Sequence, residues 1–172
     1  LGETLLQSGH CGEALPLLRG AMADELATTG GKPSNGIGEA HDSLGRCLLV
    51  QGDTRAALEA FQNAEAQFTQ TLGAEDRRTL RSRIHRQWAL HVQAPTPQTL
   101  AALASSRTQL VKVLGSEETP VIWQLDLLLD GLSGKAGTTR LSPERRRQIE
   151  QALAKEAASP QAPRFVGLNS FS

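Results

Sequence analysis

The four histidines and two cysteines are the residues of this chain that could bind a metal ion or act as nucleophiles. Zinc sites on helices use pairs three or four residues apart, or a C-x-x-C knuckle. His85 and His91 are six residues apart, as are His41 and Cys47, so the members of each pair point to different helix faces. We therefore predict no metal site. Cys11 and Cys47 cannot form a disulfide framework, and Cys47, among leucines, is expected to be buried and unreactive.

Local motifs for covalent or phosphate chemistry are absent from the sequence. It contains no G-x-S-x-G and no H-E-x-x-H pattern. A glycine-rich stretch at 28–38 contains Lys32, but Pro33 follows the lysine and a helical pattern, not a strand, precedes it. This stretch is typical of a loop between helices. We predict no catalytic residue, no cofactor and no enzymatic activity in this chain.

An arginine-rich segment at 77–86 is the best candidate for ligand binding. Arg83 and Arg86 are three residues apart, so they share a helix face and could clamp a carboxylate or an acidic peptide. The alternative is a solvated basic face balanced by Glu75 and Asp76. The whole chain has 18 basic and 18 acidic side chains, a balance that lacks the charge of a nucleic-acid or anionic-membrane binder.

Helices must position these residues, because the composition disfavours strands. The 172 residues are 39% hydrophobic but only 3% aromatic, without tyrosine. No apolar run reaches the roughly 18 residues that a membrane-spanning helix needs. Three helix starts are marked by a Ser or Thr cap before a proline: Thr96-Pro97, Thr119-Pro120 and Ser142-Pro143. We predict helices at 1–8, 11–29, 37–51, 54–72, 77–94, 97–114, 120–133 and 143–158.

A repeat of 42 to 43 residues runs through the sequence. The shared positions are Leu1, Gly2, Leu5, Leu6 and Gly9 in one copy, and Leu44, Gly45, Leu48, Leu49 and Gly52 in the next. A second landmark, Leu-Gly followed by acidic residues, occurs at 72–76 and again at 114–118. Glycine inside a helix costs about 1 kcal/mol relative to alanine. Its recurrence at Gly2 and Gly45 therefore predicts two helices that cross closely, with Phe61 filling the remaining gap.

These positions resemble the tetratricopeptide repeat, which has Leu-Gly in helix A, Gly at the turn, and Ala and a large apolar residue in helix B. The spacing is similar to the longer variant found in kinesin light chains and many bacterial signalling proteins. In the third unit, Trp88 and Ala89 take the Leu-Gly positions and Ala101 the small position of helix B. The resemblance implies an all-α, right-handed α-solenoid of about four hairpins. The repeats would span 1–30, 31–73, 74–115 and 116–158.

In tetratricopeptide solenoids helix A faces a concave groove, so the resemblance also implies where partner-binding residues lie. Those positions are Glu3, Leu6, Glu39, Asp42, Arg46, Leu49, Arg83, Arg86, Leu90 and Gln93. The Asn and Lys residues of the carboxylate clamp in chaperone-binding members are missing. The implied partner is a protein or peptide segment, preferably an acidic one, and we expect neither a nucleic-acid nor a membrane partner.

The resulting hypothesis is a cytoplasmic scaffold for protein or peptide interactions. Leu1 falls in the middle of a helical pattern, and the composition is rich in arginine and poor in lysine. Together with the resemblance, these features favour the C-terminal repeat region of a larger bacterial signalling or regulatory protein, such as a Ser/Thr kinase. The alternative is a ligand- or peptide-sensing domain of a transcriptional regulator.

Residues 159–172 differ in composition from the helical region. Pro160 and Pro163 precede a run that contains Phe165 and Phe171. We predict that the apolar side chains of this tail dock on a helical surface, either of the same solenoid or of a second copy. The chain could then self-associate through the tail.

Overall fold

The computed structural model describes residues 10–135 and 140–158, and within these ranges the chain forms seven α-helices and no strand. They are α1 (Cys11–Thr29), α2 (Asn35–Val50), α3 (Thr54–Leu72), α4 (Arg77–Gln93), α5 (Pro97–Leu114), α6 (Pro120–Lys135) and α7 (Pro143–Ala157). The prediction of an all-α fold is confirmed. The predicted helix at 1–8 and the predicted docking of 159–172 lie outside the described residues.

Side-chain caps set where several helices begin. Asp53 accepts a hydrogen bond from a backbone N–H of α3 at 3.1 Å. The Thr96 hydroxyl accepts a hydrogen bond from the Thr99 backbone N–H, and the Thr99 hydroxyl accepts one from the Thr96 backbone N–H, both at 3.1 Å, so this pair caps α5. Ser34 caps α2, so α2 begins two residues earlier than predicted. Helix α6 begins at Pro120, as predicted, but the buried Thr119 hydroxyl has no hydrogen-bond partner among the described residues and so makes no side-chain cap.

Each helix packs against the next one along the chain, and α2 also contacts α4. This order of contacts is a solenoid-like arrangement. One apolar cluster joins α4, α5 and α6: Leu80, Ile84, Trp88, Leu103, Leu110, Ile122, Leu125 and Leu129. A second cluster joins α2 and α3: Leu48, Leu49, Ala57, Ala60 and Phe61, together with Ala89 from α4. Because α4 supplies Ala89 to the earlier cluster, each hairpin completes the core of its neighbour.

Two glycines let α2 approach α3 closely. A Cβ atom at Gly45 would lie 2.6 Å from Phe61 Cε1, and one at Gly38 would lie 2.7 Å from Phe68 Cε1. Both phenylalanines are fully buried. The glycines and the phenylalanines have the same spacing of seven residues, two helical turns. The predicted close crossing at Gly45 with Phe61 as the filling side chain is therefore confirmed.

The third unit shows a different register from the one predicted. Ala101 is exposed, so it is not the small buried position of α5. The buried side chains of α5 include Leu103 and Leu110, which follow Phe61 and Phe68 by 42 residues. Helices α3 and α5 are therefore related by a spacing of 42 residues. The predicted alignment of Ala101 with Ala57 needs a different spacing. The prediction for Ala101 was wrong because the helix-B pattern shifts relative to the helix-A pattern in this unit.

A disulfide joins Cys11 of α1 to Cys47 of α2, with their Cα atoms 5.2 Å apart. Cys47 is fully buried, as predicted, but the expectation of an unreactive thiol was wrong. The bond lies among Ala14, Leu15 and Leu18, which pack at the same contact. The two cysteines are 36 residues apart in sequence, so their pairing depends on how α1 and α2 meet.

Replacing Gly45 by alanine tests the close contact of α2 and α3. We expect Gly45→Ala to lower the free energy of unfolding by about 2 kcal/mol, because Phe61 must move away from the new methyl group. Gly20→Ala is the matched control, since apart from the local helix backbone no atom lies within 4 Å of a Cβ at that position. It should raise stability by up to about 1 kcal/mol. Equal effects of the two variants in urea denaturation would contradict the role given to Gly45.

Removal of the disulfide tests the covalent link between α1 and α2. We expect the Cys11→Ala, Cys47→Ala double variant to lose about 2–4 kcal/mol of unfolding free energy. A reducing agent should destabilise the native protein and leave the variant unchanged. Intact mass spectrometry should find the untreated native protein lighter by two hydrogen atoms than the reduced one. Equal masses would show that the bond does not form.

Candidate functional site

A buried carboxylate stands at the contact of α2 and α4. Asp42 is fully buried, and its Oδ1 accepts a hydrogen bond from Ser82 Oγ at 2.7 Å. The same oxygen lies 2.9 Å from His85 Nδ1. The other oxygen, Oδ2, lies 3.5 Å from Arg46 Nε and 3.6 Å from Arg81 Nε. One acidic side chain of α2 is therefore bound by three residues of α4.

The charge of Asp42 is maintained by its neighbours. Burial alone would raise its pKa, but the charge and hydrogen bond of His85, and then the charges of Arg81 and Arg46, hold the pKa of Asp42 well below its usual range. The His85 ring also packs against Phe61, with the ring centroids 5.3 Å apart. The ionised carboxylate and the apolar cluster of α2 and α3 thus contact the same imidazole.

Aspartate, histidine and serine are the residues of a hydrolase triad, but their arrangement here is different. In a triad the serine hydroxyl bonds the histidine, and the other histidine nitrogen bonds the aspartate. Ser82 instead donates to Asp42, and both Ser82 and His85 are buried. The three side chains therefore form a contact between helices, without the serine–histidine bond that activates a nucleophile.

Arg83 and Arg86 bind one carboxylate, and it belongs to the chain itself. The Nε atoms of both arginines lie 2.8 Å from the two carboxylate oxygens of Glu65 on α3. Burial raises the pKa of Glu65, but the hydrogen bonds from Arg83 and Arg86 bring it below its usual range. The residue that balances this basic face is therefore Glu65, not Glu75 or Asp76.

The other predicted partner-binding residues lie in different environments. Arg46 is mostly buried beside Asp42, with 14% of its side chain exposed. Leu90 is half-buried on α4, and Glu3 lies outside the described residues. Asp42 and Arg46 belong to the contact of α2 and α4, whereas the two arginines at 83 and 86 face α3. Among the described residues, those predicted to bind a partner do not lie together on one open surface.

Two more carboxylates of α6 bind arginines of adjacent helices. Arg107 of α5 holds Asp126 through two hydrogen bonds of 2.6 and 2.9 Å. Asp130 is almost fully buried and accepts hydrogen bonds from the backbone N–H groups of residues 140–141 at 2.6 and 2.8 Å. Arg146 of α7 also binds Asp130. Buried or half-buried acid–arginine contacts therefore recur along the helical array.

An open cleft of about 400 Å³ has Arg81, which also contacts the buried Asp42, in its lining. It is lined by Glu39, Arg77, Arg78, Arg81, Leu110, Leu114 and Val121. Helices α2 and α4 contribute the charged side chains, and α5 and α6 contribute the apolar ones. We call this feature the arginine cleft. It combines three guanidinium groups with three apolar side chains at the meeting point of four helices.

The positive charge of the arginine cleft is only partly compensated. Arg81 binds Glu39, with 2.7 Å between Nη2 and Oε2. Within the described ranges neither the Arg77 nor the Arg78 guanidinium forms an ion pair or a side-chain hydrogen bond. Both arginines lie in the first turn of α4, where the positive end of the helix dipole disfavours cations. The cleft therefore has the electrostatics of a site for an anion.

The arginine-rich segment contributes to two different places: Arg83 and Arg86 contact Glu65, whereas Arg77, Arg78 and Arg81 line the arginine cleft. The signal for the arginine cleft was present at Arg77 and Arg78. These residues follow the helix cap Asp76 and lie in the first turn of α4, a position that favours acidic over basic side chains. The apolar side of the cleft had no such signal, because Leu110, Leu114 and Val121 come from helices that follow later in the chain.

No protein-family model matches this chain, and no match is found among curated proteins. In the ranges 10–135 and 140–158, no three His, Cys, Asp or Glu side chains form a cluster that could hold a metal ion. None of the described helices is both long and apolar enough to cross a membrane.

Replacement of Asp42 tests the buried contact. We expect Asp42→Asn to lower the free energy of unfolding at pH 7 by about 3 kcal/mol, because Arg46 and Arg81 lose their buried partner. The folded-state pKa of Asp42 lies below its unfolded value near 3.9. Its contribution is therefore fully present above that pH and is lost as the pH falls toward the folded-state pKa.

The measurement is urea denaturation of the native chain and the variant at several pH values. The stability gap between them should be widest near neutral pH and narrow below about pH 4. Asp24→Asn, at an exposed position of α1, is the control and should change stability by less than about 0.5 kcal/mol. A gap that stays constant with pH would show that the charge of Asp42 does not stabilise the fold.

Proposed function

We propose that this chain is a scaffold for protein interactions and that its partner binds as a peptide segment in the arginine cleft. The observation that supports this proposal is the composition of the cleft, with uncompensated guanidinium groups beside apolar side chains. Residues of α2, α4, α5 and α6 line it, so successive hairpins share one binding surface. Arrays of helical hairpins commonly bind partners on such shared surfaces.

The contrast with other arginines supports a binding role for Arg77 and Arg78. Arg83 and Arg86 bind Glu65, and Arg107 binds Asp126, so these three arginines stabilise contacts between helices. Arg77 and Arg78 have no such carboxylate among the described residues and occupy a helix end that disfavours them. Side chains that lower stability without forming an internal contact are typical of functional surfaces.

We also propose that the chain is a tetratricopeptide-like repeat region of a larger bacterial signalling or regulatory protein, such as a Ser/Thr kinase. The disulfide between Cys11 and Cys47 disfavours the predicted cytoplasmic location, because such bonds are rare in the cytosol. The support is the repeated pattern in the sequence and the contact of Gly45 with Phe61, which gives the pattern a packing reason. In this proposal any catalytic activity belongs to another part of the parent protein, and this chain recruits the partner.

Selection of peptides on the full chain tests the proposed function. Peptides from a display library would be selected on the immobilised protein, and their Kd values measured in solution by calorimetry. For the Arg77→Gln, Arg78→Gln variant we expect Kd to rise about tenfold, because two contacts of up to about 1 kcal/mol each are lost. Its unfolding free energy should stay equal or rise by a few tenths of a kcal/mol, because two cations leave the helix N-terminus.

The matched control is Arg19→Gln with Arg55→Gln, which removes the same charge at exposed positions outside the cleft. Its Kd values should equal those of the native chain. Arg83→Glu with Arg86→Glu is unsuitable, because it would break the contact with Glu65 and destabilise the fold. The proposal fails if no peptide is selected above background, or if both glutamine variants bind the peptides equally well.

A further inference from the structure

The ion pair of Glu39 and Arg81 lies at the edge of the arginine cleft and connects it to the buried Asp42. Arg81 Nη2 lies 2.7 Å from Glu39 Oε2, while Arg81 Nε lies 3.6 Å from Asp42 Oδ2. The Glu39 side chain is 43% exposed, whereas Asp42 is fully buried. One guanidinium group therefore has a fixed internal carboxylate on one side and a solvent-accessible carboxylate on the other.

We propose that the arginine cleft binds a peptide segment that presents a carboxylate beside an apolar side chain, and that Glu39 competes with this carboxylate for Arg81. The inference rests on the proposed function, because it names the ligand chemistry of the same cleft. It also gives Glu39 a role as a specificity-determining residue of that site.

Both halves of the cleft define the ligand class. The guanidinium groups of Arg77, Arg78 and Arg81 match the planar, bidentate geometry of a carboxylate. Leu114 and Val121 offer the ligand an apolar surface, to which the almost fully buried Leu110 adds little. A volume of about 400 Å³ is that of a site for a drug-sized ligand. A short peptide segment with one acidic and one apolar side chain fits this size and both surfaces.

Displacement of Glu39 by a ligand leaves the fold intact. Asp42 still holds Arg81 from the buried side, so the guanidinium group keeps its position. An ion pair with a partner as exposed as Glu39 contributes little to stability, and water can replace it. A ligand must displace the Glu39 carboxylate from Arg81, and this requirement disfavours ligands without an anionic group.

The test uses the full chain and a fluorescein-labelled, C-terminally amidated peptide of three Ser-Glu-Leu units, with fluorescence anisotropy as the readout. We expect Glu39→Gln to bind this peptide about threefold more tightly than the native chain, because the competing charge is removed. Glu59→Gln is the matched control: it removes the same charge and breaks an exposed ion pair with Arg55, but lies outside the cleft. It should leave Kd unchanged.

Further peptides distinguish the parts of the ligand. Peptides of Ser-Gln-Leu units and of Ser-Glu-Ser units each lack one half of the proposed chemistry, and both should bind at least about fivefold more weakly. The Ser-Gln-Leu peptide with a free C-terminus reports whether a terminal carboxylate can replace a side-chain carboxylate. If that peptide recovers binding, the carboxylate that the cleft recognises is a terminal one. If it does not, the recognised carboxylate belongs to a side chain.

The inference is overturned if Glu39→Gln binds no more tightly than the native chain, if Glu59→Gln tightens binding equally, or if the glutamine peptide binds as well as the glutamate peptide. The proposed function survives these results when display-selected peptides still lose affinity with Arg77→Gln and Arg78→Gln. Selected peptides that bind in the cleft but lack acidic residues also overturn the inference alone. Absence of any bound peptide overturns both proposals.

Discussion

The buried charge of Asp42 constrains how α2 and α4 meet. An ionised carboxylate in a protein interior needs charged and hydrogen-bonding partners. Helix α4 supplies such partners, so the face of α4 that carries them must be directed toward α2. Because Arg81, Ser82 and His85 face α2, the remaining faces of α4 contact other helices. Arg83 and Arg86 then face Glu65 of α3, and the first turn of α4 forms one side of the arginine cleft. The interior contact and the candidate binding surface are thus consequences of a single helix orientation.

The recurrence of such contacts agrees with the composition of the chain. Only 3% of the residues are aromatic, so large rings fill few of the gaps between helices. The rings of Phe61 and Phe68 fit between the helices because the facing residues of α2 are glycines. Elsewhere arginines bind the carboxylates of Asp126 and Asp130 between adjacent helices. Breaking one of these buried pairs would leave an unpaired charge, so each pair favours a particular alignment of its two helices.

Local signals in the sequence predicted the helices well, but they left open which residues of different helices contact one another. The bounds of α1, α3 and α5 agree with prediction, because caps, prolines and turn glycines act within a few residues. The partnership of Arg83 with Glu65 depends on the rotation of two helices, which the sequence pattern of either helix leaves open. The bond between Cys11 and Cys47 was missed for a similar reason, because spacing along the chain says nothing about two helices that meet side by side.

The disulfide gives the array a mechanical polarity. A pulling force on a stack of hairpins separates helices first where only side-chain packing joins them. Between α1 and α2 a covalent bond bears the tension, whereas α6 and α7 are held by packing and by the contacts of Asp130. Extension of the described array should therefore start from the α7 side and leave α1 fastened to α2. Because α6 supplies Val121 to the arginine cleft, a pulling force would disturb the cleft before it separated α1 from α2.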